Sequence, residues 1–367
     1  MAEVIKIVLT GGPCGGKTTA LGYISSELEK LNIPVVTVDE AASKLLKSGK
    51  TPEALGSYEF HKQLFALALN DEKEKLEIAS KMDCDRVAVL FDRGLLDSRA
   101  YVTKEEFARY SGIFNLNEDI IRNSYDAVFH LVTAADGAEK FYGIESNLCR
   151  REDALTARAV DNAIISAWVG TSHLRIIDNS TDFSGKLKRL LKEITSFLGV
   201  PEHFEIERKF LIEYPDINLL NKMNLCRKIP ITQAYVTTPK EGSFRVRRRG
   251  EGKDAVYIKT VKIKISDIKR IETENYISKE EYESYISKKE NVIGIISKDR
   301  YCIVENSTYY ELDVYPFWND RATVEIELLS ENQPYFLPSF VRLIRDVSSE
   351  PEYRNFALAQ KYREIAD

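Results

Sequence analysis

Residues 9–20 read L-T-G-G-P-C-G-G-K-T-T-A and contain Gly11-x4-Gly16-Lys17-Thr18, a spacing that cradles the phosphates of a nucleotide. The run Val4–Thr10 before it is apolar and β-branched, and Lys17–Leu31 after it has helical spacing. The loop therefore turns a strand into a helix, the setting this motif requires. Glycines let the backbone curl until several N–H groups face one anion, and the helix N-terminus adds partial positive charge. Gly11, Gly12, Pro13, Cys14, Gly15, Gly16, Lys17, Thr18 and Thr19 are the expected phosphate contacts. Lys17 would reach the β/γ-phosphates and the Thr18 hydroxyl would ligate Mg²⁺. A merely structural turn is the competing reading.

Outward from the loop, apolar runs recur at Ile33–Asp39, Val87–Phe91, Ala127–Val132 and Leu174–Ile177, separated by helical segments such as Ser57–Lys81 and Asp153–Trp168. Strands alternating with helices predict an α/β fold, a parallel sheet with helices on both faces. Asp92 ends one apolar run and would sit at the C-terminal sheet edge, where it can hold a magnesium-bound water. Asp39 and Glu40 end another and are candidates for a base or water positioner; Asp97 is a weaker one. Arg150, Arg151 and Arg158 could close over a triphosphate or simply pair with Glu152 and Asp153. Asp178 and Asn179 could touch the base or start a turn.

Ser184–Leu198 reads as a last amphipathic helix, stopped by Gly199-Val200-Pro201. Two domains, 1–199 and 200–367, follow. Beyond Pro201 short strand-like runs succeed one another, an antiparallel β pattern with helices expected at Lys279–Lys289 and Pro338–Ile344. In E-I-E-R-K the residues Glu205, Glu207 and Lys209 share one strand face. The same period recurs at Arg245, Arg247 and Arg249, at Glu272 and Glu274, at Lys298 and Arg300, at Glu311 and Asp313, and at Glu325 and Glu327. One such strand is an ordinary solvated face. Six, several with acids and others with bases, predict an antiparallel β-barrel with a charged interior, because buried charges must face each other, water or a ligand. The acids (Glu205, Glu207, Glu272, Glu274, Glu311, Asp313, Glu325, Glu327) suit Mg²⁺, with Mn²⁺ a second candidate. The bases suit a polyphosphate.

The 367 residues are 44% hydrophobic and 30% charged, a soluble globular composition. A net charge of −5 gives no general attraction to nucleic acid, and the acidic strands would repel a nucleic-acid backbone from the R-V-R-R-R-G stretch. Five scattered cysteines without a C-x-x-C pair favour reduced thiols, and the four histidines lack ligand spacing. No apolar run reaches the roughly 18 residues of a membrane span, so a cytoplasmic protein is expected.

The first half resembles the kinase-related branch of P-loop NTPases, in particular the domain of the TRPL translocation defect protein family. The residues that carry the likeness are the glycine-rich loop, the strand ends D-E, D-R-G and I-D-N, and the arginine-bearing segment. The second half is similar to the CYTH domain family of triphosphate tunnel enzymes. There Glu205, Glu207 and Lys209 match E-x-E-x-K, Arg245 and Arg247 its paired arginines, and Thr260-Val261-Lys262 its T-x-K, with Lys259 competing for Lys262. Residues 353–359, Y-R-N-F-A-L-A, resemble the family's ending. The resemblance implies ATP or GTP binding in the first domain and polyphosphate or phosphoinositide binding in the second, with Lys209, Arg245, Arg247, Arg249, Lys262, Lys298 and Arg300 on the phosphate chain. Three functions remain: triphosphate hydrolase, small-molecule kinase, or nucleotide-gated phosphoinositide binder.

Overall fold

The computed structural model describes residues 2–142, 153–200, 205–238, 242–264 and 269–362. The chain divides into two compact units, Met1–Ile194 and Thr195–Asp367.

In the first unit the strands are β1 (Glu3–Thr10), β2 (Val35–Val38), β3 (Arg86–Asp92), β4 (Ala127–Leu131) and β5 (Leu174–Ile177). They form one parallel sheet in the order β2-β3-β1-β4-β5. Its central strands are buried on both faces: Ile7–Leu9, Val87–Phe91 and Ala127–Phe129 are at most 2% exposed, which is why they read as unbroken apolar runs. The helices are α1 (Lys17–Lys30), α2 (Ala41–Lys47), α3 (Pro52–Leu55), α4 (Ser57–Ser80), α5 (Lys104–Gly112), α6 (Glu118–Arg122), α7 (Ala154–Trp168) and α8 (Phe183–Phe197). Both α1 and α4 pack on β2 and β3. The C-terminal ends of β1, β2 and β3 thereby meet the N-terminus of α1 on one edge, the place where such sheets bind ligands.

The second unit holds β6 (Glu205–Glu213), α9 (Ile217–Lys222), β7 (Cys226–Thr238), β8 (Gly242–Arg249), β9 (Val256–Lys264), β10 (Lys269–Ile277), α10 (Lys279–Ser287), β11 (Val292–Glu305), β12 (Thr308–Val314), β13 (Arg321–Leu328), β14 (Leu343–Asp346) and α11 (Asn355–Lys361). Neighbouring strands run antiparallel in the order β10-β9-β8-β7-β11-β12-β13-β6, and β10 pairs back onto β6 through Lys269↔Ile206 and Arg270↔Glu205. The sheet is a closed barrel. Its outer face is apolar: Phe210, Ile212, Ile303, Leu312, Val324 and Ile326 cluster beneath Ile217, Leu220 and Phe340.

The sheet of the second unit departs from the sequence reading at β14 and at β7. The helix expected over Pro338–Ile344 is a turn at Pro338 (Val341 N to Pro338 O, 3.1 Å) followed by β14, which pairs with Phe210–Ile212 of β6. The open edge of β6 outweighs the helical spacing. Strand β7, 13 residues long, went unread. Pro230 interrupts its pattern, and its inward face is mostly uncharged, with Ile229, Ile231 and Gln233 opposite Arg300, Lys298 and Ile296.

Candidate functional sites

The glycine-rich loop is held from several sides. Gly16 caps α1 in the left-handed region at φ +84°, and Cys14 also has positive φ, at +55°. Gly12 N donates to Asp161 Oδ1 at 2.6 Å, and the same oxygen accepts from His130 Nε2 at 3.0 Å and Thr133 N at 3.3 Å. The Thr133 hydroxyl donates to Pro13 O. Lys17 Nζ donates to Gly11 O and Gly12 O, both at 2.8 Å, and lies across the inside of the loop. Burial, and then the neighbouring Arg93 guanidinium, push Lys17 down to about 7 despite nearby Asp92 and Glu40. Thr18 and Thr19 are exposed on the first turn of α1.

Thr18 Oγ1 donates to Asp92 Oδ2 at 3.2 Å. Asp92 is 6% exposed, and its Oδ1 has no hydrogen-bond partner among the described residues. Burial, then the Glu40 charge, raise its carboxyl above the usual range. An orphaned buried carboxylate oxygen beside a hydroxyl and a phosphate loop is a fitting donor set for a divalent cation. Asp39 is exposed. Glu40 is half-buried, accepting from Arg93 Nε at 2.6 Å and from Ser43 Oγ at 2.7 Å. Burial opposes its charge, but Arg93 and Ser43 outweigh that and hold it below the ordinary carboxyl range.

Two expectations for this unit change. Arg158 does not reach the loop: its guanidinium donates to Ala135 O at 2.5 Å and Glu139 Oε1 at 2.7 Å, so it pins the segment after β4. Arg150 and Arg151 lie outside the described residues. Asp178 and Asn179 bind protein groups, Asp178 accepting from Ser180 and Arg189 and Asn179 donating to Thr133 O and Asp136 O.

Arg93 and Asp161 were not read from the sequence as site residues. Asp161 had a signal: the spacing Ala157, Asp161, Ile164, Ile165, Trp168 puts a lone carboxylate on the buried stripe of α7. Arg93 had none, because its role rests on a backbone φ of +76° that turns it back over the sheet edge.

Lys186 supports the same loop system, donating to Val132 O at 2.6 Å and Asn179 Oδ1 at 2.7 Å. Burial pushes it from 10.5 down to about 8. Between those values the unfolded chain binds a proton that the folded chain does not, so stability rises with pH there, by at most about 1.4 kcal/mol per pH unit. Lys186→Met should flatten that rise in denaturant titrations across the window; an unchanged slope would count against the assignment.

In the barrel Arg300↔Asp313 and Lys209↔Glu325 set opposite charges side by side as cross-strand neighbours, while Glu311↔Glu325 and Glu207↔Glu327 set acids beside acids. Arg300 donates to Asp313 Oδ1 and Oδ2, both at 2.7 Å, to Glu325 Oε2 at 2.9 Å and to Glu311. Lys298 reaches Asp313, and Lys209 lies 2.9 Å from Glu325. Burial opposes every one of these charges. The Glu325 charge nevertheless raises Lys209, and Lys209 with Arg300 holds Glu325 well below the carboxyl range.

Asp313 is fully buried, with both oxygens engaged by Lys298 and Arg300. Lys209, Lys298 and Arg300 are likewise engaged by protein acids. Among the described residues no three His, Cys, Asp or Glu side chains gather as a metal cluster.

The opposite wall is different. Arg245 and Arg247 both reach Glu274 Oε1, at 3.2 and 2.9 Å, and Thr260 donates to the same oxygen at 2.8 Å. Arg247 Nε is buried without a partner among the described residues. Burial, together with Arg245, Arg249 and Arg300, outweighs Glu274 and lowers Arg247 below the ordinary guanidinium range. Arg249 is 3% exposed. Glu207 is half-buried on β6, and Glu327, its cross-strand partner, is exposed. The side chains of Glu205, Lys262 and Glu272 lie outside those described. Register nevertheless separates the two lysines of β9. In register Lys262 pairs with Glu272 and Thr260 with Glu274, whereas Lys259 Nζ donates to Tyr285 OH at 3.1 Å.

Residues 6–186 match the AAA domain family and residues 203–349 match the CYTH domain family. The chain carries an AAA-type P-loop domain followed by a CYTH domain. Two crystal structures of the protein NE1496, described as a hypothetical protein in one and an inorganic triphosphatase in the other, are each 29% identical to the CYTH-containing chain. They cover 42% of this chain and 97% and 94% of their own, with TM-scores of 0.30 and 0.29. The PH1012 protein from Pyrococcus horikoshii OT3 is 22% identical over 33% of this chain and 77% of its own, with a TM-score of 0.26. No curated protein compared with the chain matches it. Among the described residues, no helix is long and apolar enough to cross a membrane.

Proposed function

We propose that the P-loop domain binds and hydrolyses ATP or GTP, and that the CYTH tunnel binds a triphosphate or polyphosphate chain and hydrolyses it. Arg247 carries the tunnel reading. A buried guanidinium crowded by Arg245, Arg249 and Arg300, with one N–H unpaired among the described residues, calls for an anion of high charge density. The wall of Arg245, Arg247 and Arg249 would take the phosphate chain, with Lys262 on the same face. The network of Lys209, Lys298 and Arg300 with Asp313 and Glu325 would fix the barrel around it. Glu205, Glu207, Glu272, Glu274, Glu311, Glu325 and Glu327 would supply carboxylates to a divalent metal.

In the P-loop domain Lys17 would contact the β/γ-phosphates, and Thr18 with Asp92 would hold Mg²⁺, which when bound neutralises phosphate charge. Glu40, fixed by Arg93 and Ser43, would orient the attacking group. Cys14, Cys84, Cys226 and Cys302 form no disulfide among the described residues, which supports a reducing, cytoplasmic setting.

Phosphate release from tripolyphosphate and from ATP or GTP, without any acceptor, divides the work between the domains. Lys17→Ala should lower nucleotide turnover by about 10²–10³ and leave tripolyphosphate hydrolysis intact; Arg247→Ala should do the reverse. Loss of both activities in either variant would refute two independent sites. Tight binding of phosphate compounds with no turnover by wild type would instead leave the phosphoinositide-binding reading.

A further inference from the structure

Two apolar clusters coat the second unit's sheet, and at the margin of the first, by Val314, opens a groove of about 730 Å³. Its floor is formed by Pro230–Thr232 of β7 and Ser297–Asp299 of β11, with Arg248 of β8 beside them. Register sets Arg248, Thr232 and Ser297 in one row across the three strands. The next row is Arg249, Ile231 and Lys298, which belongs to the charged interior. Side chains alternate between faces at period two, so the row of Arg248 lies on the back of the tunnel wall. Arg248 is half-buried and has no acid among the described residues. Its one hydrogen bond there runs from Nη2 to Thr232 Oγ1 at 3.3 Å, and its buried Nε has no partner. Asp299 is taken by Lys228 at 2.7 Å, and the charge of Glu251 falls on the same lysine. Lys298 gives its ammonium to Asp313. Thr232 Oγ1 and Ser297 Oγ lie 3.2 Å apart, a bond that uses only one of their two hydroxyl protons.

We propose that this groove binds a small carboxylate with a flat apolar part, at a site separate from the tunnel. A half-buried guanidinium that lacks an acid in the protein is matched by one from outside, and the remaining hydroxyl proton gives the carboxylate a second donor. The flat part has its own wall. Tyr214 is 41% exposed there, and Trp318 is held in place by Tyr315, ring centroids 5.0 Å apart, and by Tyr362 OH, 3.4 Å from Nε1. Pro230, Pro316 and Val314 extend this apolar surface. The volume falls within the roughly 300–1,000 Å³ of small-molecule sites. Charge separates this ligand from that of the tunnel. Arg245, Arg247 and Arg249 stand together in the interior and suit a dense polyanion, whereas Arg248 stands near Asp299 and Glu251, which would repel one.

The full-length protein is titrated with 5-fluoroindole-3-acetate as probe, and in parallel with its uncharged amide, and binding is read by fluorine NMR. The acid is expected to bind with a Kd below about 1 mM, and the amide at least about tenfold more weakly. Arg248→Gln should weaken the acid at least about tenfold and leave the amide within about threefold of wild type. Saturating tripolyphosphate should displace neither probe. Circular dichroism and the thermal midpoint certify that the variant is folded. If Arg248→Gln does not fold, Ser297→Leu, at an exposed position on the groove floor, serves in its place. Equal binding of acid and amide, or acid binding indifferent to the folded variant, overturns the site. Displacement by tripolyphosphate overturns it as well, by placing the probe in the tunnel. No binding of the acid up to about 10 mM has the same consequence.

Discussion

Arg300→Ala is expected to destabilise the CYTH domain by about 3–5 kcal/mol, a large share of the stability of most domains. Arg300 is the one side chain that joins Asp313, Glu325 and Glu311 among the described contacts. Removing it leaves Asp313, which is fully buried, and Glu325, 9% exposed, facing only Lys298 and Lys209. The penalty is that of uncompensated buried charge, and it far exceeds what the intact pairs contribute against an apolar equivalent. Both carboxyls are held below their ordinary range in the folded protein. Their contribution is therefore present above the unfolded carboxyl values and lost as pH falls through the folded ones. The wild-type barrel should lose stability in acid more steeply than Arg300→Ala does. Urea unfolding followed by fluorescence suits the test, because the chain has two tryptophans, Trp168 in the first unit and Trp318 in the second. A midpoint shift worth less than about 1 kcal/mol would mean the network is solvated and does not behave as a buried one.

Gly11→Ala should abolish nucleotide binding and destabilise the P-loop domain by more than about 1 kcal/mol. A Cβ built on Gly11 lies 2.1 Å from Leu131 O, a backbone atom of β4, and the residue has φ +144°. The neighbour cannot yield without breaking the sheet, so the loop must lift away from the strand that supports it. Gly22→Ala is the matched control. Gly22 lies exposed within α1 with nothing within 4 Å of its added Cβ, and the change should stabilise by about 0.5–1 kcal/mol. Equal effects of the two substitutions on thermal unfolding and nucleotide affinity would sink the steric argument.

These two predictions draw on features of unequal visibility in the sequence. The glycine-rich loop is legible because its chemistry is local: spacing, strand before, helix after. The barrel is legible because charges alternate with apolar residues at period two, which few other arrangements tolerate. What sequence could not supply was pairing across distance. Asp161 meets Gly12 only when α7 docks beside the loop, and Arg93 turns toward Glu40 only through its unusual φ. Asp313 meets Arg300 only through the register of β11 with β12. Strand β7 escaped because Pro230 broke its pattern and its inward face is nearly uncharged.

The barrel is inside out relative to an ordinary globule, with ions within and the greasy face outside under α9 and α10. A strand that slipped by one residue would push Arg247 beneath Tyr282 and deliver Val246 into the charged interior. Each strand is thus proofread twice, once by the apolar coat and once by the ionic lining. Conformational adaptation to any ligand must come from side chains turning within fixed strands, because no strand can slide.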